Sequence, residues 1–165
     1  AMKPKPIKPK IGQESVWEYP RPPRLEKVDK HIEINFNGEV IASTNRAFRV
    51  LETSHPPVYY LPLDDIKTEY LISSDKVTYC EWKGEGSYYD LKVGDKYVSD
   101  AAWYYDNPTK RFQEIKGYPA FYAQKMDKCL LDGEEVTPQP GNFYGGWITK
   151  DVVGPFKGVE GSWGW

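Results

Sequence analysis

Residues 76–105 read KVTYCEWKGEGSYYDLKVGDKYVSDAAWYY. Two strand-like runs, KVTYCEW and SYYDLKV, flank the glycine-containing turn KGEG, and Gly94-Asp95 turns the chain again into KYVSDAAWYYD. β-branched and aromatic residues recur in each run, as suits a pleated, half-buried surface. The segment predicts an antiparallel meander. Alternation along its first strand puts Thr78, Cys80 and Trp82 on one face, with Val77, Tyr79 and Glu81 on the other.

The same logic extends upstream. HIEINFNGEVIAST (31–44) places two runs around Asn37-Gly38, the strongest two-residue hairpin signal, because both turn positions need positive φ. Ile32, Ile34 and Phe36 then share a buried face. A further run ends at Glu52, and the His-Pro-Pro step after it forces an extended turn into the strand-like PVYYL. LDDIKTEYL (63–71) predicts a short helix with Asp64 or Asp65 near its start, broken by Ser73-Ser74-Asp75. Asn107-Pro108 stops the third meander strand. PAFYAQKM (119–126) predicts a last strand with Pro119 at its first position.

Several short strands at close spacing predict a mainly β fold, a small antiparallel β-sandwich or pseudo-barrel with one or two short helices. Three regions follow. Residues 1–30 form a Lys/Pro-rich extended arm, and Ala1 reads as a cloning scar ahead of Met2. Residues 31–126 form the β domain. Residues 127–165 form an irregular Gly/aromatic-rich tail packing on it through Phe143, Tyr144, Trp147, Phe156 and Trp163. The arm alternates lysine with proline and reads as solvated or surface-draped, although PIKP and PRPP also match the spacing of SH3-type ligands.

Composition narrows the function classes. A formal net charge of -2 argues against nucleic acid as the partner, since a wholly basic footprint is missing. Two cysteines without a CxxC pair exclude a four-cysteine zinc site and argue against a disulfide framework. No apolar run is long enough to span a membrane, and the Lys/Pro-rich start has no apolar signal core, so a soluble cytoplasmic protein is expected. No cofactor and no metal is called for. His31 and His55 lack ligand spacing, and His55 in SHPP reads as an exposed loop residue.

Four motifs in order, RVLETSHPPVYYLPLDDI (49–66), TYCEWKGEGSYYDL (78–91), DAAWYYDNP (100–108) and GYPAFY (117–122), resemble the DUF427 family, which also carries a nucleotidyltransferase-like label. The resemblance implies a small antiparallel β fold similar to the Mss4-like pseudo-barrels, and no established reaction. Mss4-like proteins often bind zinc through paired CxxC motifs, which this chain lacks. Glu81 stands where many members have proline after the cysteine, and the Gly/Trp-rich tail resembles an extension found in some members.

Candidate chemistry concentrates in these motifs. Glu52 closes an apolar run, where a carboxylate can serve as general acid or base. Lys83 lies beside Gly84 and Gly86, which allow close backbone approach to a ligand, and it can hold an anion; a solvated turn lysine is the ordinary reading. Cys80 beside Trp82 reads first as a small packing residue. The aromatic pairs suggest a cleft walled by Tyr60, Trp82, Tyr89, Trp103 and Tyr122, fit for a planar or anionic small molecule. The leading expectation is a small-ligand binding module. The alternative is an enzyme using Glu52 as acid or base and Lys83 as anion stabiliser. A third reading is an interaction or structural protein whose arm and tail wrap a partner or a second copy, as in a homodimer.

Overall fold

The computed structural model describes residues 3–165; Ala1 and Met2, the first two residues of the expected arm, lie outside the described residues. In chain order the strands are β1 (Glu14–Ser15), β2 (Arg24–Lys27), β3 (Ile32–Phe36), β4 (Glu39–Thr44), β5 (Phe48–Leu51) and β6 (Val58–Tyr60). The meander follows as β7 (Leu71–Cys80), β8 (Gly84–Val93) and β9 (Lys96–Tyr104). Short strands complete the chain: β10 (Ala120–Phe121), β11 (Lys128–Leu131), β12 (Glu134–Glu135), β13 (Thr137–Pro138), β14 (Trp147–Ile148) and β15 (Val152–Val153).

Two four-stranded antiparallel sheets, β10-β9-β8-β7 and β12-β11-β3-β4, make the body, and a three-stranded sheet β2-β5-β6 packs beside them. The sheets do not close into a barrel. The β3–β4 hairpin turns on Asn37 (φ 49) and Gly38 (φ 79), the double positive φ that Asn-Gly supplies. Ile32, Ile34 and Phe36 are fully buried and face Leu91, Ala102 and Phe121 in the main core. A second cluster lies between β5–β6 and β8–β10, built from Phe48, Tyr60, Tyr88, Trp103, Tyr105 and Tyr122.

Local expectations differ in three places. LDDIKTEYL forms two 3-10 turns, Leu63–Asp65 and Thr68–Tyr70, in place of one helix. Between them Ile66 bridges to Ala42 of β4, and sheet contact prevails over a helix too short to hold itself. Ser73-Ser74-Asp75 does not break the chain; it is a register shift inside β7, at the exposed edge of its sheet. Of PAFYAQKM only Ala120–Phe121 is strand, and Ala123–Lys125 is another 3-10 turn. No helix among the described residues is long and apolar enough to cross a membrane.

The ends of the chain are tied to each other and to the body. Ile7 N–H donates to the Gly154 carbonyl at 2.9 Å, and β1 pairs in parallel with β15. Arg24–Lys27, assigned to the arm by composition, pairs in full with β5. Beyond residue 126, β11 pairs along β3, and Trp147 joins the main core at 1% exposure, stacked on Tyr59 with ring centroids 5.2 Å apart. Its Nε1–H donates to the Phe121 carbonyl at 3.1 Å. The region read as an irregular tail therefore includes core residues. Trp147→Ala is expected to cost about 3–5 kcal/mol of stability by urea denaturation; a loss below ~1 kcal/mol would show that the C-terminal chain is only an appendage.

Candidate functional site

The turn between β7 and β8 is pinned rather than free. Thr109 N–H donates to the Lys83 carbonyl at 3.0 Å, and Thr109 Oγ1 donates to the Trp82 carbonyl at 2.6 Å. Gly84 takes φ 103, a conformation that strains other residues, as it leaves the turn. These restraints send Lys83 inward. Its residue exposure is 8%, and its Nζ stands 5.7 Å from the ring centroids of Tyr105 and of Phe112. The solvated turn lysine is thus excluded. Among the described residues Lys83 forms no ion pair. Burial works against its ammonium, while Tyr60, Cys80 and Glu52 favour it, and the balance lies above the ordinary lysine value. Lys83 is a buried cation at neutral pH.

It borders a cavity of about 430 Å³ in the second aromatic cluster. Glu52, Tyr60, Trp82, Lys83, Trp103 and Tyr122 all line it. Trp103 Nε1–H donates to Tyr60 Oη at 3.3 Å, and the Trp103 and Tyr122 rings stand 4.6 Å apart. Burial pushes the phenols of Tyr60, Tyr105 and Tyr122 up, so they face the cavity as neutral hydroxyls.

Tyr89 is the exception among the expected wall residues. It stacks on Tyr104 at 4.4 Å and does not line the cavity. Tyr88 pairs in register with Trp103 and shares its face, so pleating turns Tyr89 outward. Tyr79, Tyr88, Tyr105 and Tyr144 also line the cavity and are not among the expected wall residues; alternation from Trp103 points to Tyr105, whereas Tyr88 follows only from the β8–β9 register. Cys80 also lines the cavity, as a half-buried free thiol.

Glu52 is not enclosed by apolar walls. Arg21 Nε donates to Glu52 Oε2 at 3.2 Å, and Arg21 also donates to the Thr53 carbonyl at 2.9 Å. His55 is the larger departure. Its side chain is only 12% exposed, and it lines the cavity with Nε2 3.7 Å from Glu52 Oε2. Burial, together with the positive charges of Lys157, Arg21 and Lys83, pushes its imidazolium down to about 3. His55 is therefore neutral at physiological pH.

The C-terminal chain supplies the remaining wall with Gln139, Tyr144, Gly145 and Lys157. Gly145 lies flat on Trp103, where any Cβ would overlap the indole. Lys157 Nζ stands 5.6 Å from the Tyr144 ring centroid, and Lys76 Nζ 4.7 Å from that of Tyr88. Glycine and aromatic composition hinted at this wall, but only contact identifies which residues form it. Among the described residues, no three His, Cys, Asp or Glu side chains gather as a metal-binding group.

The fold and cavity define a mainly antiparallel β domain with an aromatic, lysine-bearing cleft. The chain belongs to the family described as a domain of unknown function (DUF427), whose model matches residues 24–132. No curated protein matches the chain.

Two outcomes follow from the charges. The fold favours the Lys83 ammonium over its ordinary state, so Lys83→Met is expected to lower stability in urea denaturation at neutral pH. A gain would mean that the cost of burying the ammonium outweighs the groups that favour it. The unfolded chain binds the His55 proton below about 6.5, and the folded chain only near 3. Its contribution is complete above 6.5 and is lost as pH falls toward 3. Between pH 6 and 5, wild type is expected to lose stability faster than His55→Phe, by up to about 1.4 kcal/mol per pH unit. Parallel pH profiles would refute a buried neutral His55.

Proposed function

We propose that the protein is a small-ligand binding module whose cleft takes a planar molecule bearing an anionic group. The observation that carries this is Lys83: a buried ammonium without an ion-pair partner among the described residues, bordering an aromatic cavity. Burial opposes that charge, and an anion entering the cavity gives it the ion-pair partner that it lacks among the described residues. Trp103, Tyr122 and Tyr60 offer ring faces and edges for a flat body, and the cavity volume falls in the range of small-molecule sites. Lys76 and Lys157 stand at the same cavity and add positive potential.

A second reading, an enzyme acting on a small anion, rests on Glu52 and Lys83 lining one cavity. There Glu52 is the acid or base and Lys83 the electrostatic stabiliser. Its mark is turnover lost in Glu52→Gln while binding survives.

Thermal shift with benzoate and uncharged benzamide tests the binding reading. At ten times its Kd, benzoate is expected to add about 1.4 kcal/mol, a Tm rise of roughly 3–6 °C. Benzamide should do less. Lys83→Met should abolish the benzoate shift, and Trp103→Ala should reduce it. Equal benzoate binding by wild type and both variants would sink the assignment.

A further inference from the structure

At the polar end of the cavity stand a donor and an acceptor that no hydrogen bond joins. His55 Nε2 and Glu52 Oε2 are 3.7 Å apart, beyond hydrogen-bond length. The proton position on His55 is set from behind. Gln139 Oε1 accepts from Gly146 N–H at 3.0 Å, and Gln139 Nε2 donates to the Lys157 carbonyl at 2.9 Å. Reversing the amide would set its oxygen against that carbonyl and its NH2 against the Gly146 N–H. The amide orientation is therefore determined, and Gln139 Nε2 meets His55 Nδ1 at 3.1 Å as a donor. Nδ1 accepts. A neutral imidazole has one proton, which must then sit on Nε2, the nitrogen near Glu52.

A cavity group placed between these two atoms has to accept from Nε2–H and donate to the carboxylate. A carbonyl or carboxylate oxygen would repel Glu52. An ammonium would repel the imidazole N–H. A hydroxyl does both, and an oxygen about 2.8 Å from each atom sits off the line joining them, at an angle of roughly 80°. Gln139 is almost fully buried and Gly146 lies tight against Pro56, so the donor is held before any ligand arrives.

We propose that His55 and Glu52, with Gln139 as positioning residue, recognise a hydroxyl group on the ligand, so that the cleft prefers planar hydroxy-carboxylates. This rests on the anion reading of Lys83 given above and deepens it to a ligand class.

Calorimetric titration with benzoate, 3-hydroxybenzoate and 4-hydroxybenzoate reads the preference. At least one hydroxybenzoate is expected to bind wild type roughly three- to tenfold tighter than benzoate, the worth of a well-placed hydrogen bond. His55→Phe and Gln139→Met should erase that ratio, so that each variant binds the hydroxybenzoates no tighter than it binds benzoate. Nitrogen-15 NMR of the two histidines reads the positioning role directly, which a purely structural Gln139 would not move. Wild-type His55 should be the neutral Nε2–H form, and Gln139→Glu, measured at a pH where the new carboxylate is ionised and can only accept, should put a proton on Nδ1. An Nδ1–H form in wild type overturns the proposal without any variant. Lys83-dependent benzoate binding with no hydroxyl preference, or with one that survives His55→Phe, overturns it and leaves the anion reading standing. Failure of all three probes to bind overturns both.

Discussion

The contact between Trp103 and Gly145 joins the parts of this molecule that matter for its cavity. Trp103 lies on β9, in register with Tyr88 of β8, and hydrogen-bonds to Tyr60 of β6. Its outer face is covered by a glycine because no side chain fits there. Packing of this kind is intolerant of added volume, since interiors have few gaps to absorb a methyl group. One indole thereby fixes the distance between the meander, the β5–β6 hairpin and the C-terminal chain. The aromatic wall, the position of Gln139 and the mouth of the cavity all depend on that spacing.

Around this apolar frame the charges are uneven. Lys83 is buried without an ion-pair partner among the described residues, whereas Glu52 is matched by Arg21. Lys157 and Lys76 lie over aromatic rings at the same cavity. Burial, together with the positive surroundings, keeps His55 neutral, and the amide of Gln139 decides which of its nitrogens carries the proton.

Much of the frame is legible from residues. The Asn37-Gly38 turn, the glycines around Lys83 and the Gly94-Asp95 turn define the hairpins, because each demands backbone geometry that few residues supply. Alternation identifies Ile32, Ile34 and Phe36 as core. It also places Trp103 and Tyr105 together, yet it cannot say which of Tyr88 and Tyr89 joins them, since the answer depends on register across β8 and β9. The short helix expected at 63–71 failed for a similar reason: a nine-residue segment takes its conformation from the strand it touches, here β4 at Ala42.

By itself the sequence determined the mainly β class, the hairpin turns, the DUF427 motifs and a short set of candidates that includes Glu52, Tyr60, Trp82, Lys83, Trp103 and Tyr122. These follow from period, turn chemistry and local composition, all properties of neighbouring residues. Only the tertiary structure decided that Lys83 points inward, that His55 is buried beside Glu52, and that residues beyond 137 form a wall of the same cavity. Those outcomes join positions up to about a hundred residues apart. They are set by which surfaces exclude water together, and no pattern within a single strand carries that information.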